Sequence, residues 1–155
     1  MERRSFLATL GAALGLGSAA KGAETGFEVS RSDAEWKAML SDLEYRVMRE
    51  EDTERPFTSP LNEEKRAGTY LCRGCEQPLY SSEHKFDSGT GWPSFWQALP
   101  GAIGTRTDWK LLFPRTECHC SRCGSHLGHI FDDGPQPTGK RHCINGVSLV
   151  FRADA

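Results

Sequence analysis

The chain has 155 residues, with 19 Lys and Arg against 21 Asp and Glu, a formal charge of −2 and six cysteines. That length suits one domain with one core. The mild acidity excludes the basic field on which binding to nucleic acid or anionic membrane relies.

Met1-Glu2-Arg3-Arg4-Ser5-Phe6-Leu7 sets paired arginines ahead of an apolar, Ala/Gly/Leu-rich run from Phe6 to Ala20, which closes on the small-x-small signal Ser18-Ala19-Ala20. The run is too short and too Gly-rich for a membrane span. Arg-Arg-x-Phe-Leu resembles a twin-arginine export signal, with a general secretory signal or an uncleaved anchor as the alternatives. Residues 1–20 are therefore expected to be an export signal and the mature protein periplasmic or otherwise exported; if the signal reading fails, it is cytoplasmic. Residues 21–31 read as a flexible polar leader. Ser32 or Asp33 is placed to cap a helix whose apolar face runs through Trp36, Met39, Leu40 and Leu43. Leu43 to Glu54 reads as strand or turn, Pro56 and Pro60 punctuate the chain, and Glu63 to Ala67 forms a short helical turn before Gly68. Short strands follow at Thr69–Leu71, Pro78–Tyr80, Trp109–Phe113, Thr116–Cys120, Leu127–Phe131 and Val147–Phe151, with loops at Gly89–Trp96 and Asp132–Lys140. Many short strands with turn signals and little helix predict an antiparallel, mainly β domain with a helical N-terminal segment.

The cysteines divide by spacing. Cys72-x-x-Cys75 and Cys120-x-x-Cys123 form two knuckles that can close a tetrahedral all-cysteine zinc site with no open position, so one structural zinc is expected. A disulfide framework or a redox C-x-x-C are the rivals, but a redox motif stands alone at a helix start. Cys118 and Cys143 are left over. If Arg141-His142-Cys143-Ile144-Asn145 is a strand, Arg141, Cys143 and Asn145 share a face. The guanidinium then favours the thiolate and lowers its pKa; the alternative is an inert buried cysteine beside a surface arginine. His126 and His129, with Asp132 and Asp133 behind them, lie just upstream. The four-cysteine site is complete without these histidines, which leaves them as core residues or as proton donors to a poor electrophile.

Four segments taken in order, the first Cys-x-x-Cys knuckle, Gly89 to Phe95, His126 to Pro135 and Arg141 to Asn145, resemble the B class of methionine-R-sulfoxide reductases, over roughly Ser32 to Arg152. The resemblance implies a reductase domain over 32–153 built of two antiparallel sheets, a β-tent, with the zinc far from the nucleophile. It implies Cys143 as nucleophile, His126 and His129 around the sulfoxide oxygen, Asp133, Arg141 and Asn145 as polar support, and Trp92 as the wall of a methyl-sized pocket. It implies oxidised proteins as substrate, thioredoxin or a thioredoxin-like protein as reductant, and a monomer. Attack by Cys143 would leave a sulfenic acid that a second thiol must reduce. Many members of this class resolve it with a cysteine at the position where this chain has Thr90. Cys118 is the spare candidate for that role; its alternatives are a small buried hydrophobe, with an external thiol attacking directly. Two rival classes remain, a zinc-ribbon adaptor and a C-x-x-C dithiol oxidoreductase. Zinc content separates out the second and sulfoxide turnover the first.

Overall fold

Two capping boxes set the N-terminal helices. Ser32 Oγ accepts the Glu35 N–H at 3.3 Å while the Glu35 carboxylate accepts the Ser32 N–H at 2.8 Å. Ser41 and Glu44 repeat the exchange at 3.3 and 2.9 Å. Each box satisfies donors that a helix start leaves open. The chain therefore builds two short helices, α1 (Asp33–Met39) and α2 (Asp42–Glu50), where the sequence predicts one helix followed by strand or turn. The restart at Ser41 buries Trp36, Leu40, Tyr45, Val47 and Met48 and turns Met39 and Leu43 outward.

The structure, a computed structural model, describes residues 26–155; the export signal read over 1–20 lies outside them. No helix among the described residues is long and apolar enough to cross a membrane. Within the expected leader, the Val29 N–H donates to the Arg122 carbonyl at 2.9 Å, Arg31 Nη1 to the Gly74 carbonyl at 3.0 Å, and Phe27 packs edge-on against His119. The packed domain thus begins before the boundary expected at residue 32.

The strands are β1 (Gly68–Cys72), β2 (Pro78–Ser81), β3 (Lys85–Phe86), β4 (Ser94–Phe95), β5 (Ile103–Asp108), β6 (Arg115–Cys120), β7 (His126–Phe131), β8 (Arg141–Ile144) and β9 (Leu149–Ala153). They form two antiparallel sheets, β2-β1-β9 and β3-β4-β8-β7-β6-β5, as the resemblance implies. Aromatic side chains from both sheets meet in the core: Phe95 stacks on Tyr80 with centroids 4.3 Å apart and takes the edge of Tyr70 at 4.9 Å. Such contacts add roughly 0.5–1.5 kcal/mol each beyond burial. All three rings are fully buried.

One strand lies elsewhere than expected. Trp109–Phe113 is an exposed hairpin loop, and β5 is the polar segment before it. The Asp108 carboxylate accepts the Lys110 N–H at 2.9 Å and the Arg115 guanidinium at 2.7 Å. This turn closes the hairpin before the apolar run can pair.

Candidate active site and metal centre

Strand register places the chemistry. Across β5, β6, β7, β8 and β4, Arg106, Glu117, His129, Cys143 and Ser94 lie opposite one another in turn. Directly opposed residues project from one face, so Glu117, His129 and Cys143 form a row. His126 precedes His129 by three residues and would face the other way in a regular strand. The ladder slips between Cys118 and His119, where His119 pairs with His126 and Leu127 is passed over. That extra residue returns His126 to the side of His129, with ring centroids 5.5 Å apart. Gly128, between them in the strand, cannot carry a side chain: a Cβ there would sit 1.9 Å from the Cys143 carbonyl oxygen.

A cavity of about 270 Å³ is lined by Cys143, His129, Arg141, Trp92, Phe131 and Thr90, together with Asn145 and Arg115. Pockets for drug-sized ligands run to roughly 300–1,000 Å³, so this one lies at the small end and has room for a side chain. Among the expected site residues, His126 and Asp133 do not line it; each stands behind a residue that does. Asp133 accepts both arms of Arg141, at 2.9 and 3.0 Å, and the same guanidinium lies 4.4 Å over the Phe131 ring. Trp92 donates its indole N–H to the Glu54 carbonyl at 3.1 Å. Asn145 Oδ1 accepts the Glu54 N–H at 3.0 Å, and its Nδ2 donates to the Leu127 carbonyl at 3.0 Å.

The thiol departs from the sequence expectation. Burial pushes Cys143 up from the ordinary thiol value, and the Arg141 charge and the Thr90 hydroxyl only pull part of the way back. The guanidinium favours the thiolate, but desolvation outweighs it. His129 is drawn below 6.5, first by burial, against the raising effect of its bond to Asp108. That bond, from His129 Nε2 to Asp108 Oδ2, is 2.8 Å. A carboxylate only accepts, so Nε2 carries the proton.

Behind His126 lies a carboxylate that the sequence reading does not select. Glu117 is 1% exposed. Its Oε1 accepts His126 Nδ1 at 2.7 Å and its Oε2 accepts His119 Nδ1 at 2.9 Å, with Arg106 Nε at 3.2 Å. Burial alone would raise this carboxyl, but the two imidazoles and the guanidinium hold it down to about 2. His126 Nε2 is buried without a partner. Asp108 and Glu54 are also missing from the sequence reading. Glu54, 2% exposed, accepts the N–H groups of Gly146 and Val147 at 2.6 and 3.1 Å, and so ties the Trp92 and Asn145 anchors to the turn before β9. The signal for Glu117 was its place inside a predicted strand; Glu54 and Asp108 sit in polar stretches that carry none.

Cys118 and Cys143 are not brought together. Cys118 pairs with Gly128 and Gly128 with Ile144, so β7 lies between the two cysteines. Two ladder spacings put their Cα atoms roughly 9.5 Å apart, beyond the ~4.4–6.8 Å that a disulfide spans. Alternation also turns Cys118 to the face opposite Glu117. It is fully buried, with its thiol directed to Tyr80.

The remaining four sulfurs converge. Those of Cys72, Cys75, Cys120 and Cys123 all lie within 4.8 Å of one another. Across the knuckles, Cys72–Cys123 and Cys75–Cys120 are each 3.6 Å apart. A tetrahedron of thiolates at about 2.3 Å from zinc has sulfurs about 3.8 Å apart, so the set fits one such ion. The knuckle turns are closed by Glu76 N–H to the Cys72 carbonyl at 2.7 Å and Gly124 N–H to the Cys120 carbonyl at 2.9 Å.

A single thiol on the wall of a small cavity, apart from a closed four-sulfur centre, is the arrangement of a candidate thiol active site. Known proteins narrow that reading. The SelR domain matches residues 40–153. A peptide methionine sulfoxide reductase MsrB of Hahella chejuensis is 50% identical over 127 residues, covering 81% of this chain and 91% of its own. The proteins of the same name from Thiobacillus denitrificans and Methanosarcina barkeri are 54% and 50% identical, covering 78% and 81% of this chain and 92% and 89% of theirs. The chain belongs to the SelR family, the B class of peptide methionine sulfoxide reductases.

Proposed function

We propose that this methionine sulfoxide reductase acts on the R epimer of methionine sulfoxide in oxidised proteins, with Cys143 as nucleophile. The observation that carries the reading is the in-register pair of Cys143 and His129 on the wall of a cavity closed by Trp92 and Phe131. The substrate's methyl group packs against the indole, which leaves the sulfoxide oxygen toward the His129 imidazole. A sulfoxide is a poor electrophile until its oxygen is protonated. His129 gives that proton from its imidazolium form, which burial makes the minority form near neutral pH, and Asp108 keeps its ring in place. The Cys143 sulfur attacks the sulfoxide sulfur as a thiolate, which Arg141 and Thr90 support. The oxygen passes to Cys143, methionine leaves with the two electrons gained, and Cys143 becomes a sulfenic acid. One external thiol condenses with it, releasing water and forming a mixed disulfide. A second thiol exchanges with that disulfide, restoring Cys143 and leaving the reductant oxidised.

Zinc is the metal best suited to the four-cysteine centre, which it holds closed as a structural ion. A thioredoxin-like protein fits as reductant, and the twin-arginine-like leader fits an exported enzyme. The test is turnover of both sulfoxide epimers by wild type and Cys143→Ser, with thioredoxin and with dithiothreitol. Wild type should reduce the R epimer alone and the variant neither; activity surviving in Cys143→Ser would remove the nucleophile.

A further inference from the structure

Four of the seven large exposed apolar side chains among the described residues fall in one stretch of five: Trp109 at 72%, Leu111 at 58%, Leu112 at 97% and Phe113 at 77% exposed. They form the tip of the β5–β6 hairpin. Clusters of this kind, in contrast to scattered single residues, mark interaction sites. The tip is attached to the site by its base. Asp108 and Arg115 are a register pair closing the hairpin, joined at 2.7 Å. Asp108 holds His129, and Arg115 and His129 both line the cavity. The apolar tip is therefore continuous with the cavity rim. On the other side of the tip, Lys110 is anchored by Glu51, which fixes the hairpin by charge and leaves its apolar residues uncovered.

The cavity takes one side chain, so the polypeptide on either side of an oxidised methionine must lie on that rim. Methionine is a core residue type, and where apolar residues stand beside it in an extended chain, the exposed tip is the apolar surface at the rim that they can meet. We propose that the Trp109–Phe113 hairpin is the docking surface for the apolar residues flanking methionine sulfoxide in an extended polypeptide. This rests on the reductase reading above and adds to it the part of the substrate beyond the reacting side chain. The hairpin supplies binding without touching the chemistry, so its removal raises KM for long apolar substrates alone.

The test uses the double variant Leu112→Ser/Phe113→Ser, both surface positions whose loss leaves the fold intact. Three substrates are compared with dithiothreitol as reductant: N-acetyl-methionine-R-sulfoxide, a peptide with the sulfoxide flanked by Leu, Val and Phe, and the same peptide flanked by Ser and Gly. The expected result is a fall of about tenfold in kcat/KM for the apolar peptide, which corresponds to ~1.4 kcal/mol or the burial of roughly 55 Å² of apolar surface. The loss should be in KM, with kcat, the small substrate and the polar peptide unchanged. Equal losses on all three substrates, or none, would overturn the proposal. So would a loss seen only when thioredoxin replaces dithiothreitol, which assigns the hairpin to the reductant, or a wild-type dimer that the variant dissolves. A wild type that fails to reduce even the N-acetyl substrate refutes the reductase reading itself.

Discussion

Replacing Glu117 by Gln probes the buried network behind the histidines. The carboxyl is held at about 2 against an ordinary 4.5. At ~1.36 kcal/mol per unit, that gap is worth roughly 3 kcal/mol of folding stability. The side chain is 2% exposed, so solvent screening does not discount it. The folded-state pKa lies below the unfolded one, so the unfolded chain binds more protons as pH falls between these values. The contribution is complete above about pH 5 and drains away as pH falls toward 2. A glutamine cannot titrate and leaves Arg106 and two imidazole donors short of an acceptor. The variant should be about 3 kcal/mol less stable at pH 7, and its gap to wild type should close by ~1.4 kcal/mol at pH 3.5. Urea unfolding of both metal-loaded proteins at pH 7, 5, 4 and 3.5 measures this; acid loss of thiolate ligands affects both alike and cancels. A gap that stays constant with pH would refute the assignment of Glu117 as an ionised anchor. Because the carboxylate also orients His126, the variant should lose kcat more than it gains KM.

Cys72→Ser should release the metal, measured as metal per chain, and unfold the domain, because a structural zinc contributes roughly 10 kcal/mol, comparable to a domain's whole net stability. Asp108→Asn removes the bond that raises His129, so the alkaline fall of kcat should move to lower pH; an unmoved limb in the pH–rate profile would take the proton from His129, whose loss as donor should cost on the order of 10²–10⁴-fold. Cys118→Ser should turn over like wild type, and one equivalent of substrate without reductant should leave a dimedone-trappable sulfenic acid at Cys143 in both; a linked Cys118–Cys143 peptide in the mass spectrum would contradict the intervening β7. Thr90→Cys, at a position beside the Cys143 thiol, should instead give a disulfide with Cys143 and two fewer free thiols after one turnover.

What the sequence carried plainly was whatever depends on spacing. The paired knuckles announced the sulfur cluster, and alternation around Cys143 placed Arg141 and Asn145 beside it. The second helix was legible too, since Ser41 and Glu44 repeat the spacing of Ser32 and Glu35, yet the apolar face running on to Leu43 argues for a single helix. Trp109–Phe113 misled for a physical reason: apolar content predicts a strand only if a partner exists to bury it, and Asp108 turns the chain first. The behaviour of Cys143 could not be read, because its sign depends on whether burial or Arg141 prevails. The bonds from Glu117 to His126, Asp108 to His129 and Glu54 to Gly146 span 9, 21 and 92 residues of chain, and no local pattern marks such pairs.

The pairing of His129 with Cys143 has a consequence for how such an enzyme can change over time. Binding residues commonly ride on loops, where insertions shift geometry along with preference. Here the pair proposed to react is clamped by the ladder of a central strand pair, while the hairpin tip hangs from an edge strand. Selection can rewrite the tip freely, lengthening it or exchanging its residues, and the distance between thiol and imidazole stays where the backbone sets it. On the proposed roles of the hairpin and of this pair, substrate preference and chemical competence are heritable as separate traits.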